Sequence, residues 1–162
     1  MYIRSGNDLI KLDIYTEQFT CLRQKGVYGL FCKKDTLWVS CADGIYYYTG
    51  QGTELTFFAR VQKGFVGRAL YVDKETVWVV TRKYLVAISR EDPLRQEILL
   101  TLDKGNCILG DSSGNIWVGA WNGLYRISPN RETTAYVSHS GMGELSDNQV
   151  RCVLEDDLSI FG

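Results

Sequence analysis

Reactive groups are few in this chain. Its one histidine, His139, sits in Ser138-His139-Ser140-Gly141, a loop-like stretch with no catalytic partner beside it. Neither G-x-S-x-G nor H-E-x-x-H occurs, so the common hydrolase and zincin signatures are absent. Carboxylates cluster at Glu91-Asp92 and at Glu155-Asp156-Asp157. Two carboxylates facing each other across roughly 5–9.5 Å could hydrolyse a glycoside, but both clusters fall in predicted turns and read as solvated residues. Asp111-Ser112-Ser113-Gly114-Asn115 invites a calcium reading, yet it lacks the spaced acids and closing glutamate of a calcium loop. An Asp-initiated turn with glycine at a positive-φ position accounts for it. Gly141-Met142-Gly143 has no strand-to-helix context and is no phosphate cradle. The five cysteines include no C-x-x-C pair, which argues against zinc and thioredoxin-like chemistry. No catalytic residue, cofactor or metal site is expected. The remaining groups suit binding: Tyr28, Arg68, Arg82, Asn106, Trp121, Asn122, Asp147 and Arg151. An exposed indole can stack on a sugar ring while Arg, Asn and Asp side chains hydrogen-bond its hydroxyls.

Whether those residues share a surface depends on the elements that carry them, and these repeat. Trp38, Trp78 and Trp117 stand in Leu37-Trp38-Val39-Ser40, Val77-Trp78-Val79-Val80 and Ile116-Trp117-Val118-Gly119, 40 and 39 residues apart. Seven residues after each comes the start of a second apolar run, at Ile45, Leu85 and Leu124; Tyr2 and Leu9 fit the same spacing. Upstream of each Trp lies a small-apolar-apolar triplet: Gly29-Leu30-Phe31, Ala69-Leu70-Tyr71 and Cys107-Ile108-Leu109. Cys152-Val153-Leu154 repeats the triplet, with Phe161 at the Trp position. Consecutive apolar residues mark a strand buried on both faces, and a small residue at its start marks crowding where strands converge.

Each unit therefore predicts four short strands; in the second these are Tyr28–Lys33, Thr36–Cys41, Ile45–Thr49 and Leu55–Val61, separated by turn residues. Helical periodicity is absent. Four strands in about 40–45 residues is the signature of a β-propeller blade. The expected fold is all-β, a propeller segment of about four blades with four antiparallel strands each. Blades are expected at about 1–25, 26–64, 65–104 and 105–140. The first lacks its innermost strand, and 145–162 either starts the next blade or closes the first. An innermost strand is expected at Gln149–Asp156. Packing between blades is the expected role of the recurring tryptophans. Tyr28, Arg68, Asn106 and Arg151 each precede a small position and would ring one channel mouth, with Arg82-Lys83 and Trp121-Asn122 in loops on the same side. Trp121 stands outside the repeat position, so packing periodicity does not explain it. Cys107 and Cys152, at the small position, read as buried hydrophobes; Cys32 and Cys41 lie close enough in sequence to raise the question of a bridge.

Composition narrows the partners. With 162 residues, 45% apolar and 23% charged, the chain is of single-domain size. A formal net charge of −1 supplies no field for nucleic acid or an anionic membrane surface. No apolar window is long enough to span a bilayer, and Met1-Tyr2-Ile3-Arg4-Ser5-Gly6 lacks a signal-peptide core. The expected partners are a saccharide, and further propeller blades or another protomer.

Asp111-Ser112-Ser113-Gly114-Asn115-Ile116-Trp117-Val118-Gly119, with Asn122-Gly123-Leu124-Tyr125-Arg126-Ile127, closely resembles the two-component regulator propeller repeat. Leu145-Ser146-Asp147-Asn148-Gln149-Val150-Arg151-Cys152-Val153-Leu154 is similar to the lead-in of the next such repeat. The resemblance covers about residues 106–162; in the preceding unit Val80 and Tyr84 stand where the motif has Gly119 and Gly123. It implies a place in the extracytoplasmic sensor region of hybrid histidine kinases, many of them serving glycan-foraging gut bacteria, and hence a periplasmic, non-enzymatic, ligand-sensing segment. A stand-alone interaction module, cytoplasmic in that case, and a fragment without independent function are the alternatives.

Overall fold

The computed structural model describes residues 1–50, 54–138 and 145–156. His139, Gly141-Met142-Gly143, Asp157 and Phe161 lie outside the described residues. The described chain forms four antiparallel sheets in sequence order. The first has three strands, β1 (Tyr2–Ser5), β2 (Asp8–Leu12) and β3 (Phe19–Arg23). The second contains β4 (Val27–Lys33), β5 (Thr36–Cys41), β6 (Gly44–Tyr48) and β7 (Thr56–Ala59). The third contains β8 (Gly67–Val72), β9 (Thr76–Thr81), β10 (Tyr84–Ser89) and β11 (Gln96–Thr101). The fourth contains β12 (Cys107–Gly110), β13 (Ile116–Ala120), β14 (Gly123–Ile127) and β15 (Thr133–Tyr136). A single 3-10 turn at Gln62–Gly64 is the only helical element among the described residues.

The core lies between the sheets. Trp38 and Ile45 of the second sheet pack on Leu70, Val77, Val79, Val86 and Ile88 of the third. Trp78, Val80 and Leu85 of the third pack in turn on Ile116, Val118 and Ile127 of the fourth. Tyr2 and Leu9 of the first meet Val27, Leu37, Val39 and Tyr48 of the second. The second and third sheets thus turn their tryptophan faces toward the next one in sequence. The following blade also lays a cation on the indole: Arg90 lies 5.8 Å from the Trp38 ring and Arg131 5.9 Å from the Trp78 ring. Trp38 and Trp78 are each 6% exposed. Trp117 has no later blade over it among the described residues, is only half-buried, and stacks instead on Tyr136 of its own sheet.

The inner strands β4, β8 and β12 run side by side. Gly29 is required there: a Cβ at that position would stand 2.8 Å from the Arg68 carbonyl oxygen of the neighbouring inner strand. Across the first ladder of each blade the volumes compensate. Gly29 faces Ser40, Ala69 faces Val80, and Cys107 faces Gly119. Val80 therefore replaces the motif glycine because its partner is alanine rather than cysteine. Tyr84 replaces the other motif glycine because the Thr81 hydroxyl completes that turn, accepting the Tyr84 N–H at 2.9 Å and donating to the Tyr84 carbonyl at 3.0 Å.

Two expectations need correction. The strand read at 149–156 is not formed. The segment lies against the fourth sheet: the Val150 N–H donates to the Ala120 carbonyl at 2.8 Å, and Ser112 donates to Glu155. A strand needs a ladder, and among the described residues no strand pairs with it, β1 included. Cys152 is likewise exposed, because nothing among the described residues covers that side. All five thiols are free, Cys32 and Cys41 among them. No helix among the described residues is long and apolar enough to cross a membrane.

Candidate functional site at the channel mouth

Bulges build the mouth. In β4 the register passes from Val27↔Cys41 to Gly29↔Ser40, leaving Tyr28 unpaired. In β8 it passes from Gly67↔Thr81 to Ala69↔Val80, leaving Arg68 unpaired in the same way. A bulged residue breaks the in-out alternation, re-aims its side chain and frees its backbone groups. The freed Tyr28 carbonyl accepts a hydrogen bond from the Arg4 guanidinium at 3.0 Å. In the fourth blade Asn106 holds the equivalent place just before β12, its N–H bonded to the Gly119 carbonyl and its side-chain amide donating to the Val150 carbonyl at 3.1 Å.

Three clefts meet here, and Tyr28 and Arg68 line all of them. One of about 380 Å³ follows the inner strands from Gly29–Phe31 to Asn106–Ile108. A polar one of about 220 Å³ is closed by Arg4, Gly105 and Asn106. The third, about 350 Å³, has Phe65 and Val66 as an apolar wall and Thr81, Arg82 and Lys83 opposite. Of the residues singled out in the sequence, Tyr28, Arg68, Arg82 and Asn106 are therefore brought together.

The other four stand differently. Trp121 is 38% exposed, and the Lys104 ammonium sits 3.3 Å from its ring centroid, occupying one indole face. Its backbone N–H is held by the Asp103 carbonyl. The Asn122 side chain accepts the Asp103 N–H at 3.0 Å and so braces the same loop. The Asp147 carboxylate accepts the Gln149 N–H, as a turn residue does. Arg151 is exposed, next to the Val150 carbonyl that Asn106 holds. The three clefts are lined without these four residues.

Arg4 escaped the sequence reading, although a signal existed. It holds the repeat position of Ser40, Val80 and Gly119, where the other blades carry small or apolar residues. Electrostatically the mouth is one-sided. No Asp or Glu lines any of the three clefts. The described ion pairs are elsewhere, Arg23 with Asp43 at 2.7 Å and Arg131 with Glu97. Asp111 belongs to a turn and shows no sign of a cation site. One carboxylate oxygen accepts the Asn115 N–H at 2.7 Å, and the other accepts the Asn115 amide at 2.8 Å and the Trp117 indole N–H at 2.7 Å. Burial works to raise the Asp111 carboxyl, but these bonds outweigh it and hold the group below its ordinary range. No cluster of potential metal ligands occurs among the described residues.

No protein-family model matches the chain, and no curated protein matches it significantly. Solved structures do. The extracellular domain of the system BT4673 of Bacteroides thetaiotaomicron superposes with a TM-score of 0.79 at 17% identity, over 96% of this chain and 23% of that one. The extracellular domain of the hybrid two-component system BT3049 of the same organism gives 0.71 at 17% identity, over 94% and 23%. Virginiamycin B lyase of Staphylococcus aureus gives 0.64 at 12% identity, over 83% and 50%. The chain spans less than a quarter of the length of these two extracellular domains. At these identities the likeness is one of fold, and the fold is that of successive propeller blades, shared with extracellular domains of hybrid two-component systems as the repeat motif implied.

Proposed function

We propose that this chain is a non-enzymatic, ligand-sensing segment of a β-propeller in an extracytoplasmic two-component sensor, and that it takes a saccharide at the channel mouth. The observation that carries this reading is the convergence of Tyr28, Arg68 and Asn106, one from each of three successive blades, on connected clefts. The bulges turn donor-bearing side chains into the mouth, and the Phe65 wall offers an apolar face for a sugar's C–H groups. The half-buried Trp117 face and the β1 edge, which no strand pairs among the described residues, suit continuation into further blades or a second protomer. The extracellular domains with the same fold, described as parts of two-component systems, support a periplasmic location.

The test is calorimetric titration of the 162-residue chain with a panel of oligosaccharides, repeated on Tyr28→Ala. At least one saccharide is expected to bind, and Tyr28→Ala to weaken it severalfold with an unchanged circular dichroism spectrum. Absence of binding across the panel, or identical affinities for both proteins, overturns the assignment.

A further inference from the structure

Resting on the channel mouth as a saccharide site, we propose that its ligand is acidic: an oligosaccharide bearing carboxylate or sulfate groups, one of which is gripped by Arg68 together with Arg4 or Arg82. Arg4 shares two clefts with Arg68, and Arg82 and Lys83 share the third with it. Four cations thus border clefts that share Tyr28 and Arg68, and no carboxylate lines any of them. Among the described residues the side chains of Arg68, Arg82 and Lys83 have neither an ion-pair nor a hydrogen-bond partner, and Arg4 has only the Tyr28 carbonyl. The contrast with Arg23 is instructive. That guanidinium is held by both Asp43 oxygens, at 2.7 and 2.8 Å, with the Tyr46 hydroxyl completing the cluster. Asp43 occupies the β5–β6 turn, and Lys83 occupies the corresponding place in the β9–β10 turn. The third blade therefore carries a cation where the second carries a neutralising anion.

Like charges crowded without a counter-ion repel one another, and an anion seated among them relieves that repulsion. Guanidinium forks match the two coplanar oxygens of a carboxylate, or two oxygens of a sulfate, bidentately. The neutral donors beside them, the Tyr28 hydroxyl and the Asn106 amide, suit sugar hydroxyls. With a formal net charge of −1 the chain as a whole does not attract polyanions. The recognition is local, and it demands the anion and the sugar together.

The chain is titrated with trigalacturonate, a chondroitin sulfate tetrasaccharide, neutral maltotriose and sodium sulfate, at low and at physiological salt. An acidic oligosaccharide is expected to bind roughly tenfold or more tightly than maltotriose and sulfate, with affinity falling as salt rises. Arg68→Gln should cost that oligosaccharide roughly tenfold or more, and Arg68→Lys, which keeps the charge but not the fork, less. Arg82→Gln serves as a second variant, since both residues are exposed and their loss leaves packing intact. Tight maltotriose binding, indifferent to salt and to Arg68→Gln, overturns the acidic ligand and leaves the saccharide reading standing. Sulfate binding as tight as the oligosaccharide's also overturns it. Acidic binding that survives both variants overturns the location, and failure of every sugar to bind overturns the saccharide reading itself.

Discussion

Asp111→Ala tests whether the most conspicuous acidic motif of this chain is structural. The substitution strands three donors: the Asn115 N–H, the Asn115 side-chain amide and the Trp117 indole N–H. Hydrogen bonds to a charged acceptor contribute about 1.5–3 kcal/mol each when desolvated. The Ser112–Gly114 side of this turn is exposed, so water replaces the carboxylate at the Asn115 amide at little cost. The indole and backbone donors remain; Asp111, Asn115 and Trp117 are only half-buried, so solvent reduces each bond to about 1–2 kcal/mol and the loss is about 2–4 kcal/mol. For a chain of this size that corresponds to a fall in Tm of roughly 5–12 °C. The sign of the pH dependence follows from the carboxyl being held below its unfolded value. Its contribution is present above about pH 4, where the unfolded group ionises, and is lost as pH falls through the lower folded value. Urea unfolding followed by far-ultraviolet circular dichroism should therefore show the largest gap between wild type and variant at neutral pH, closing in acid. Asp111→Asn, which keeps one acceptor, should lie between them, and millimolar calcium should shift none of the three. A neutral-pH gap below about 0.5 kcal/mol, or one unchanged between pH 7 and pH 2, refutes this account.

Two further outcomes follow from the packing. Trp38→Ala removes an indole that is 6% exposed between two blades and should cost about 3–5 kcal/mol, whereas Trp117→Ala, half-buried, should cost about half as much; equal losses in urea midpoints would contradict the blade order. Burial pushes the Cys41 thiol up to about 11 and also raises Cys107, while Cys21, Cys32 and Cys152 are exposed. A disulfide-exchange reagent at pH 8 should modify three thiols quickly and two only on unfolding, since the thiolate is the reactive form; five fast thiols would show that the second and fourth sheets open readily.

Much of the fold could be read in the residues because propeller blades are built from local pattern. Short consecutive apolar runs mark strands, turn residues separate them, and the 40- and 39-residue tryptophan spacings set the phase in which one blade meets the next. The small residue near the start of an inner strand marks, at Gly29, a place where neighbouring backbones converge. The segment at 149–156 shows where pattern stops. It carries the same small-apolar-apolar triplet, but strand formation depends on a partner, and none pairs with it among the described residues.

The sequence by itself determined the repeat, the strands of the four sheets and the tryptophan face of the second and third. Only the tertiary structure decided which of those residues meet. The bulges at Tyr28 and Arg68, the hydrogen bond that brings Arg4 from a different blade, and the Lys104 ammonium resting on Trp121 all depend on register and on chains distant in sequence. Strand propensity and facing are settled within a few residues by backbone sterics and burial. A binding mouth is settled by the convergence of separate blades, and single-residue shifts in ladder register, invisible to any periodic pattern, choose which side chains enter it.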